Sequence, residues 1–329
     1  MSSPPIDTTP ASERPAPASP APWLRVLGLV PMPVMYTLAW LLALFMRHVL
    51  RYRVAVVREN LRLALPELDT AARERVLGRQ YHKLTEVLFE LPWLTIASRP
   101  QVSARVRLPD LAAVRAELAA GRPVLLLAAH LCNWEWLLQA LAIELGVPFV
   151  AAYKPPHSER TDELLLSVRS RFGTQMVPAK RLLRQLLRLR GTAHAVGMVA
   201  DQMPTSSGGR VWLSFLGRPT AFFPGPAEIA RLGGYRAYFL AQRRLRRGYY
   251  ETHFEPIGDA GEALDVATFT ARYAARVEAL VRERPEEWAW THRRWKLQPP
   301  AELAAAGQGA SHDTSHGTSH GTSNGAGAG

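Results

Sequence analysis

The amino-acid sequence predicts an α/β fold, with a mainly parallel central sheet flanked by helices. Two observations carry this. Short apolar runs such as "GRPVLLLAA" (121–129) are bounded by turn residues, the pattern of strands buried on both faces. Stretches of helical periodicity alternate with them, and that alternation makes parallel sheets covered by helices. No internal repeat is present.

Residues 1–22 are rich in Pro, Ser and Ala and are expected to be disordered. Residues 23–50 contain the uncharged 21-residue run "VLGLVPMPVMYTLAWLLALFM" (26–46), long enough to cross a bilayer. Pro31 and Pro33 weaken it as a straight helix, so a membrane anchor, an in-plane interfacial helix and a buried core helix all stay open. Arg47, His48, Arg51, Arg53 and Arg58 come after the run, against Arg14 and Arg25 before it. By the positive-inside bias, the remainder stays in the cytoplasm. A basic stretch, not a small-residue cleavage site, comes next, which argues against a cleaved signal peptide.

Residues 51–299 form the main domain. "RENLRLALPELDTAARERVLGRQYHKLTEVLFELPWL" is helical, with Asp69 as an N-cap. Strands are predicted at 121–129, 147–153 and 193–201. Helices lie between them at "NWEWLLQALAIELG", "TDELLLSVRSRFG" and "KRLLRQLLRLRG". "YRAYFLAQRRLRRGYYETHFEPI" reads as two strands joined at Arg247-Gly248, and a last helix spans about 266–283. Residues 300–329 form a second low-complexity tail. Its His312, His316 and His320 recur every four residues, which reads as a solvated tail rather than a metal site.

The formal charge is +12, with arginine supplying most of the excess. Such a balance suits a polyanionic partner: nucleic acid, anionic lipid or an acidic carrier protein. The single cysteine, Cys132, excludes an internal disulfide.

One motif concentrates the chemistry. In "AAHLCNWEW" (128–136) a histidine directly follows a strand and a glutamate comes five positions later. Ten histidines and 28 acidic residues in 329 make about one such spacing by chance, and two occur, His130/Glu135 and His157/Asp162. Ligands in open α/β sheets bind beyond the carboxyl ends of strands. His130 sits there, whereas His157 lies in a Lys-Pro-Pro-His-Ser surface turn. As a general base, His130 would take a proton from a hydroxyl while a carboxylate on its other nitrogen fixed the tautomer. Five helical residues rotate by about 140°, so His130 and Glu135 meet only if His130 precedes the helix. Cys132 is too near in sequence for a well-formed Cys–His pair, and no other His or Cys lies at metal-ligand spacing.

"HLCNWEW" resembles the H-x4-[DE] signature of bacterial lipid A biosynthesis acyltransferases, the lauroyl/myristoyl transferase family. Other blocks occur in that family's order: "VRENLRLALPEL", "YKP" (153–155), "ADQMP" (200–204), "FLGRPTAFFPGPAEIARLGG" (215–234) and "RPEEWAWTHRRWKLQP" (284–299). The resemblance covers roughly residues 23–299. It implies a glycerol-phosphate-acyltransferase-like fold anchored at the cytoplasmic face of the inner membrane. It also implies transfer of a fatty acyl chain from acyl carrier protein, less often coenzyme A, to a hydroxyl of a lipid A precursor, with no cofactor and no metal. Another glycolipid or lipid acceptor is the alternative.

In this chemistry His130 is the base. Glu135 is its favoured carboxylate, and Asp201, at the end of the 193–201 strand, is the other. Asn133 and Gln202 are candidates for the thioester oxygen or sugar hydroxyls, although Asn133 would serve equally as a helix cap. Tyr153, Lys154, Arg169, Arg171, Arg218, Arg293 and Arg294 lie in or near the matched blocks and are candidates for phosphorylated substrate. Arg181, Arg184 and Arg188, and the cluster 243–247, could dock acidic carrier protein or anionic lipid. Trp288, Trp290, Trp295, Phe222 and Phe223 read as packing, some of them as possible walls of an acyl channel. A nucleic-acid role is disfavoured by the apolar segment and the lack of a nucleic-acid motif.

Overall fold

The computed structural model describes residues 19–204, 209–259 and 261–301. The two expected tails fall outside these residues, apart from 19–22 and 300–301.

Nine strands are described: β1 (Val106–Arg107), β2 (Val124–Ala128), β3 (Phe149–Tyr153), β4 (Gln175–Pro178), β5 (Ala195–Val199), β6 (Val211–Phe215), β7 (Arg218–Phe222), β8 (Arg236–Arg246) and β9 (Tyr249–Pro256). Seven form one sheet in the order β1-β9-β8-β2-β5-β3-β4, and β6 and β7 make a separate hairpin. All neighbours in the large sheet are parallel except β8 and β9, which join through the turn at Arg247-Gly248. The predicted α/β class is therefore observed.

β2 has no polar residue and all five of its side chains are buried. Because strand side chains alternate, they divide between two cores. Leu125 and Leu127 join the core holding Val57, Leu77, Phe269 and Val277; Val124, Leu126 and Ala128 join the one holding Val114, Trp136 and Leu141. The first core is built on α3 (Val54–Ala64), α4 (Thr70–Glu90), α10 (Gly225–Gly233) and α11 (Val266–Glu283). The second is built on α6 (Leu111–Ala119) and α7 (Trp134–Glu144). Asp69 caps α4 through Ala72 N–H at 2.6 Å, as expected.

The apolar N-terminal segment is broken. α1 (Pro22–Gly28) ends before α2 (Met32–Leu44), and a π-helical turn (Phe45–Val49) extends α2. Pro31 caps α2 from an extended conformation, which interrupts the helix at 29–31. Gly28 lets α1 pack closely, since a Cβ there would stand 2.5 Å from the Pro92 carbonyl oxygen. α2 lies against α4, burying Met35, Tyr36, Ala39 and Ala43.

Candidate active site

β2 and β5 are parallel neighbours with Ala128 opposite Val199. Two residues past each lies an ionisable group, His130 after β2 and Asp201 after β5. The register therefore brings these two together at the carboxyl edge of the sheet. His130 Nδ1 is 2.7 Å from Asp201 Oδ1, and the His130 backbone N–H donates to Asp201 Oδ2 at 3.1 Å. The Trp288 indole N–H donates to the same Oδ2 at 2.7 Å. The 284–299 block holds this loop in place: Ala289 N–H donates to the His130 carbonyl, and Leu131 bridges Trp288.

Asp201 is fully buried. Burial alone would push its carboxyl up, but the His130 charge and the hydrogen bonds from His130 and Trp288 outweigh it and hold it below the ordinary range. The carboxylate is then ionised at neutral pH and can only accept, so Nδ1 carries the proton. In the neutral imidazole this leaves the lone pair on Nε2.

The imidazole borders a cavity of about 410 Å³ between the sheet and α7, a size usual for small-molecule sites. Its mouth holds His130, Trp134, Glu135, Lys154, Arg169 and Gln202, and its depth is lined by Leu126, Leu137, Leu141, Phe149, Ala151, Gly197 and Leu240. Leu126, Gly197 and Ala151 are cross-strand partners on β2, β5 and β3, and two of the three have almost no side chain under α7.

Residues 21–297 match the family described as bacterial lipid A biosynthesis acyltransferase. The chain belongs to that family. It is similar to a lipid A biosynthesis acyltransferase of Haemophilus influenzae, 22% identical over 82% of this chain and 83% of that one. It is also similar to the lipid A biosynthesis palmitoleoyltransferase of Escherichia coli, 24% identical over 85% and 93%, and to the lauroyltransferase of the same organism, 25% over 84% and 92%.

In this acyltransferase the carboxylate on His130 is Asp201, not Glu135, which corrects the pairing favoured from sequence. His130 does precede the helix, as that pairing required. α7, however, begins only at Trp134, and its first turn directs Glu135 to the end of α8 (Glu159–Arg169). There Arg169 Nε donates to Glu135 Oε2 at 2.9 Å, and the Trp134 indole donates to Oε1 at 3.1 Å. Burial pulls the Arg169 guanidinium down, but Glu135 more than compensates.

For Asn133 the structure shows the capping alternative. Its Oδ1 caps α7 through Trp136 N–H at 2.9 Å, its Nδ2 donates to Glu90, and it is fully buried. No part of its carboxamide reaches the cavity. Tyr153, Lys154, Arg169 and Gln202 line the cavity, while Arg171 turns away and donates to the Leu94 and Ala97 carbonyls. Arg218 begins β7 and Arg293 is exposed; neither lines the cavity. Arg294 is 2% exposed and stacks on Phe222 at 4.5 Å, beneath the site rather than in it. None of Trp288, Trp290, Trp295, Phe222 and Phe223 lines the cavity. His157 is exposed and Asp162 accepts from Tyr153 instead.

Sequence reasoning missed Trp288 as a ligand of Asp201. It also missed the buried anchor beneath Asn133, where Glu90 accepts from Tyr36 at 2.9 Å and Tyr250 at 2.8 Å. The 243–247 arginine cluster is largely spent internally: Arg244 pairs with Glu86 and Glu287, Arg243 with Glu283, and Arg247 with Glu86.

Proposed function

We propose that this enzyme transfers a fatty acyl chain from an acyl carrier protein thioester to a hydroxyl of a lipid A precursor, at the cytoplasmic face of the inner membrane. His130 is the general base and Asp201 orients it. The observation that carries the reading is the His130–Asp201 pair at the mouth of a cavity whose depth is apolar.

The acyl chain occupies the apolar depth, where each buried methylene contributes about 0.8 kcal/mol. Its thioester carbonyl then sits at the mouth beside His130. Nε2 takes the proton of the acceptor hydroxyl as that oxygen attacks the carbonyl carbon. Asp201 stabilises the imidazolium that forms. The tetrahedral oxyanion collapses, the C–S bond breaks, and the imidazolium returns the proton to the departing thiolate.

Three backbone donors next to His130 are already used. Leu131 N–H donates to Ala129, Cys132 N–H to Glu287, and Asn133 N–H to Gln242. Among side chains that can meet the oxyanion, Gln202 and Lys154 line the mouth. The Glu135–Arg169 pair forms a charged wall that positions the reacting ends. Lipid A precursors are the acceptors that the relatives' names indicate, and the excess of arginine suits both a phosphorylated glycolipid and an acidic carrier protein.

The test is acyl transfer in detergent micelles from a panel of acyl carrier protein and coenzyme A thioesters to a tetra-acylated lipid A precursor. The expected result is transfer from the carrier-protein thioesters, abolished by His130→Ala and kept by His157→Ala. Full activity in His130→Ala refutes the base, and no transfer from any donor refutes the acceptor.

A further inference from the structure

The segment from Met32 to Val49 has 18 residues and a mean hydropathy of 1.3. At 1.5 Å per residue it spans about 27 Å, close to the thickness of a hydrocarbon core. Its packing contradicts a crossing. α2 and its π-helical extension run antiparallel along α4 for their whole length. The Tyr36 hydroxyl donates to Glu90, Trp40 stacks on His82, and Arg47 pairs with Glu74 at 3.3 Å. α4 also carries Arg75, Arg79, Lys83 and Glu86. A membrane-crossing α2 would pull this charged helix into hydrocarbon, where each such side chain is costly.

The other side of the segment is apolar and uncovered. Val34, Leu38, Leu41, Phe45 and Val49 recur at i, i+4, i+7, i+11 and i+15, one helical stripe, and all are exposed. α1 and its C-cap add the exposed Trp23, Val26 and Leu29, the last two 64% and 70% exposed. Trp40 and Tyr52 are exposed beside it, as aromatics are at a membrane–water interface. Residues 19–53 contain Arg25, Arg47, Arg51 and Arg53 and no acidic residue. A protein partner would require only the apolar stripe; Arg47 is paired with Glu74, but Arg25, Arg51 and Arg53 make no ion pair among the described residues and match an anionic lipid surface.

We propose that α1, α2 and the π-helical turn form an in-plane docking face that lies on an anionic phospholipid bilayer without crossing it. This deepens the membrane location proposed above and gives it a geometry.

The test uses the full chain. Purified protein is mixed with unilamellar vesicles of phosphatidylcholine, with or without phosphatidylglycerol, and floated on a density gradient. Flotation is expected to depend on phosphatidylglycerol and to fall roughly tenfold for Leu38→Glu or Leu41→Glu, with Tm unchanged. Absent flotation, or flotation indifferent to both substitutions, overturns the docking face. So does a homodimer that these substitutions dissociate, because the face would then serve a second copy. The in-plane disposition is read separately from Ser19→Cys and His48→Cys, labelled by a membrane-impermeant maleimide in inner-membrane vesicles of each orientation. Cys132 is buried and stays silent. Labelling of both positions from the same side is expected; labelling from opposite sides means a crossing helix. Neither readout involves acyl transfer, so failure here is distinguishable from failure of the proposed reaction.

Discussion

Replacing Asp201 by Asn separates orientation of His130 from every other role of the site. Asp201 Oδ2 accepts two N–H groups, the His130 backbone at 3.1 Å and the Trp288 indole at 2.7 Å, whereas Oδ1 faces only His130 Nδ1. An asparagine keeps the two-donor side by placing its carbonyl oxygen there. Its NH2 must then face Nδ1. Nδ1 becomes the acceptor, the ring proton moves to Nε2, and the base loses its lone pair. The same tautomer switch in a Ser-His-Asp triad costs about 10⁴ in kcat, or about 5.4 kcal/mol of barrier, and the same scale is expected here. The assay is initial-rate acyl transfer across pH 6–9, about the reference pKa of histidine, with thermal melting as the fold control. Raising pH should not restore activity, because the lesion is a tautomer rather than a protonation state. A variant within about tenfold of wild type refutes the reasoning, as does recovery at high pH.

Three other substitutions discriminate among neighbouring roles. Glu135→Gln weakens the hold on Arg169 but leaves the His130–Asp201 pair intact. A loss of about ten- to a hundredfold, the worth of one hydrogen bond to a charged group, is expected, mostly in KM; a larger loss than Asp201→Asn would return Glu135 to the role of base partner. Cys132→Ala should keep activity within about twofold, because burial pushes the thiol well above the range in which it ionises; loss of transfer with an intact fold would make it a nucleophile. Gly197→Ala places a Cβ 2.9 Å from Phe149 Cζ and drives that ring into the cavity. Preference should move to shorter acyl donors, with discrimination of about 10–200-fold per methylene at the new limit; an unchanged chain-length profile would place the acyl group elsewhere.

The features legible in the sequence were local ones. The all-apolar 124–128 run could only be a doubly buried strand, Asp69 could only cap the helix after it, and the periodicity of 266–283 matched α11 from end to end. Pairing between distant strands has no such local signature. β5 inserts between β2 and β3, so the strand next to β2 is not the next one in the chain. Only that insertion places Asp201 opposite His130, and without it Glu135, five residues away, was the natural partner to favour. Asn133 shows the same limit. Its cap is readable from position, but the commitment of its Nδ2 depends on Glu90, 43 residues earlier on another helix. The β6–β7 hairpin, β4 and α10 were likewise unassigned; β4 and β6 contain no residue pattern buried on one face, because both are only partly covered.

Arg294 is where stability and activity pull in opposite directions. Its guanidinium is buried, has no hydrogen-bond partner among the described residues, and rests on the Phe222 and Phe215 rings at 4.5 and 5.8 Å. Burial pushes it down to about 10 although Asp201 and Tyr273 pull the other way, so it remains a cation at neutral pH. An unpaired buried charge destabilises a fold, and Arg294→Met, which keeps the stacking volume, should melt at the same temperature as wild type or higher. The cation also lies in the field of the His130–Asp201 pair. A positive charge there favours ionised Asp201 and so keeps that carboxylate charged to lower pH. In Arg294→Met the acid limb of kcat/KM should therefore shift to higher pH, while Arg294→Lys, which retains the charge, should leave it in place. Measuring both limbs with both variants decides the matter: a uniform loss of kcat without a shift would mean that Arg294 only supports the floor of the site, and a lower Tm in the methionine variant would mean that the buried charge has a partner.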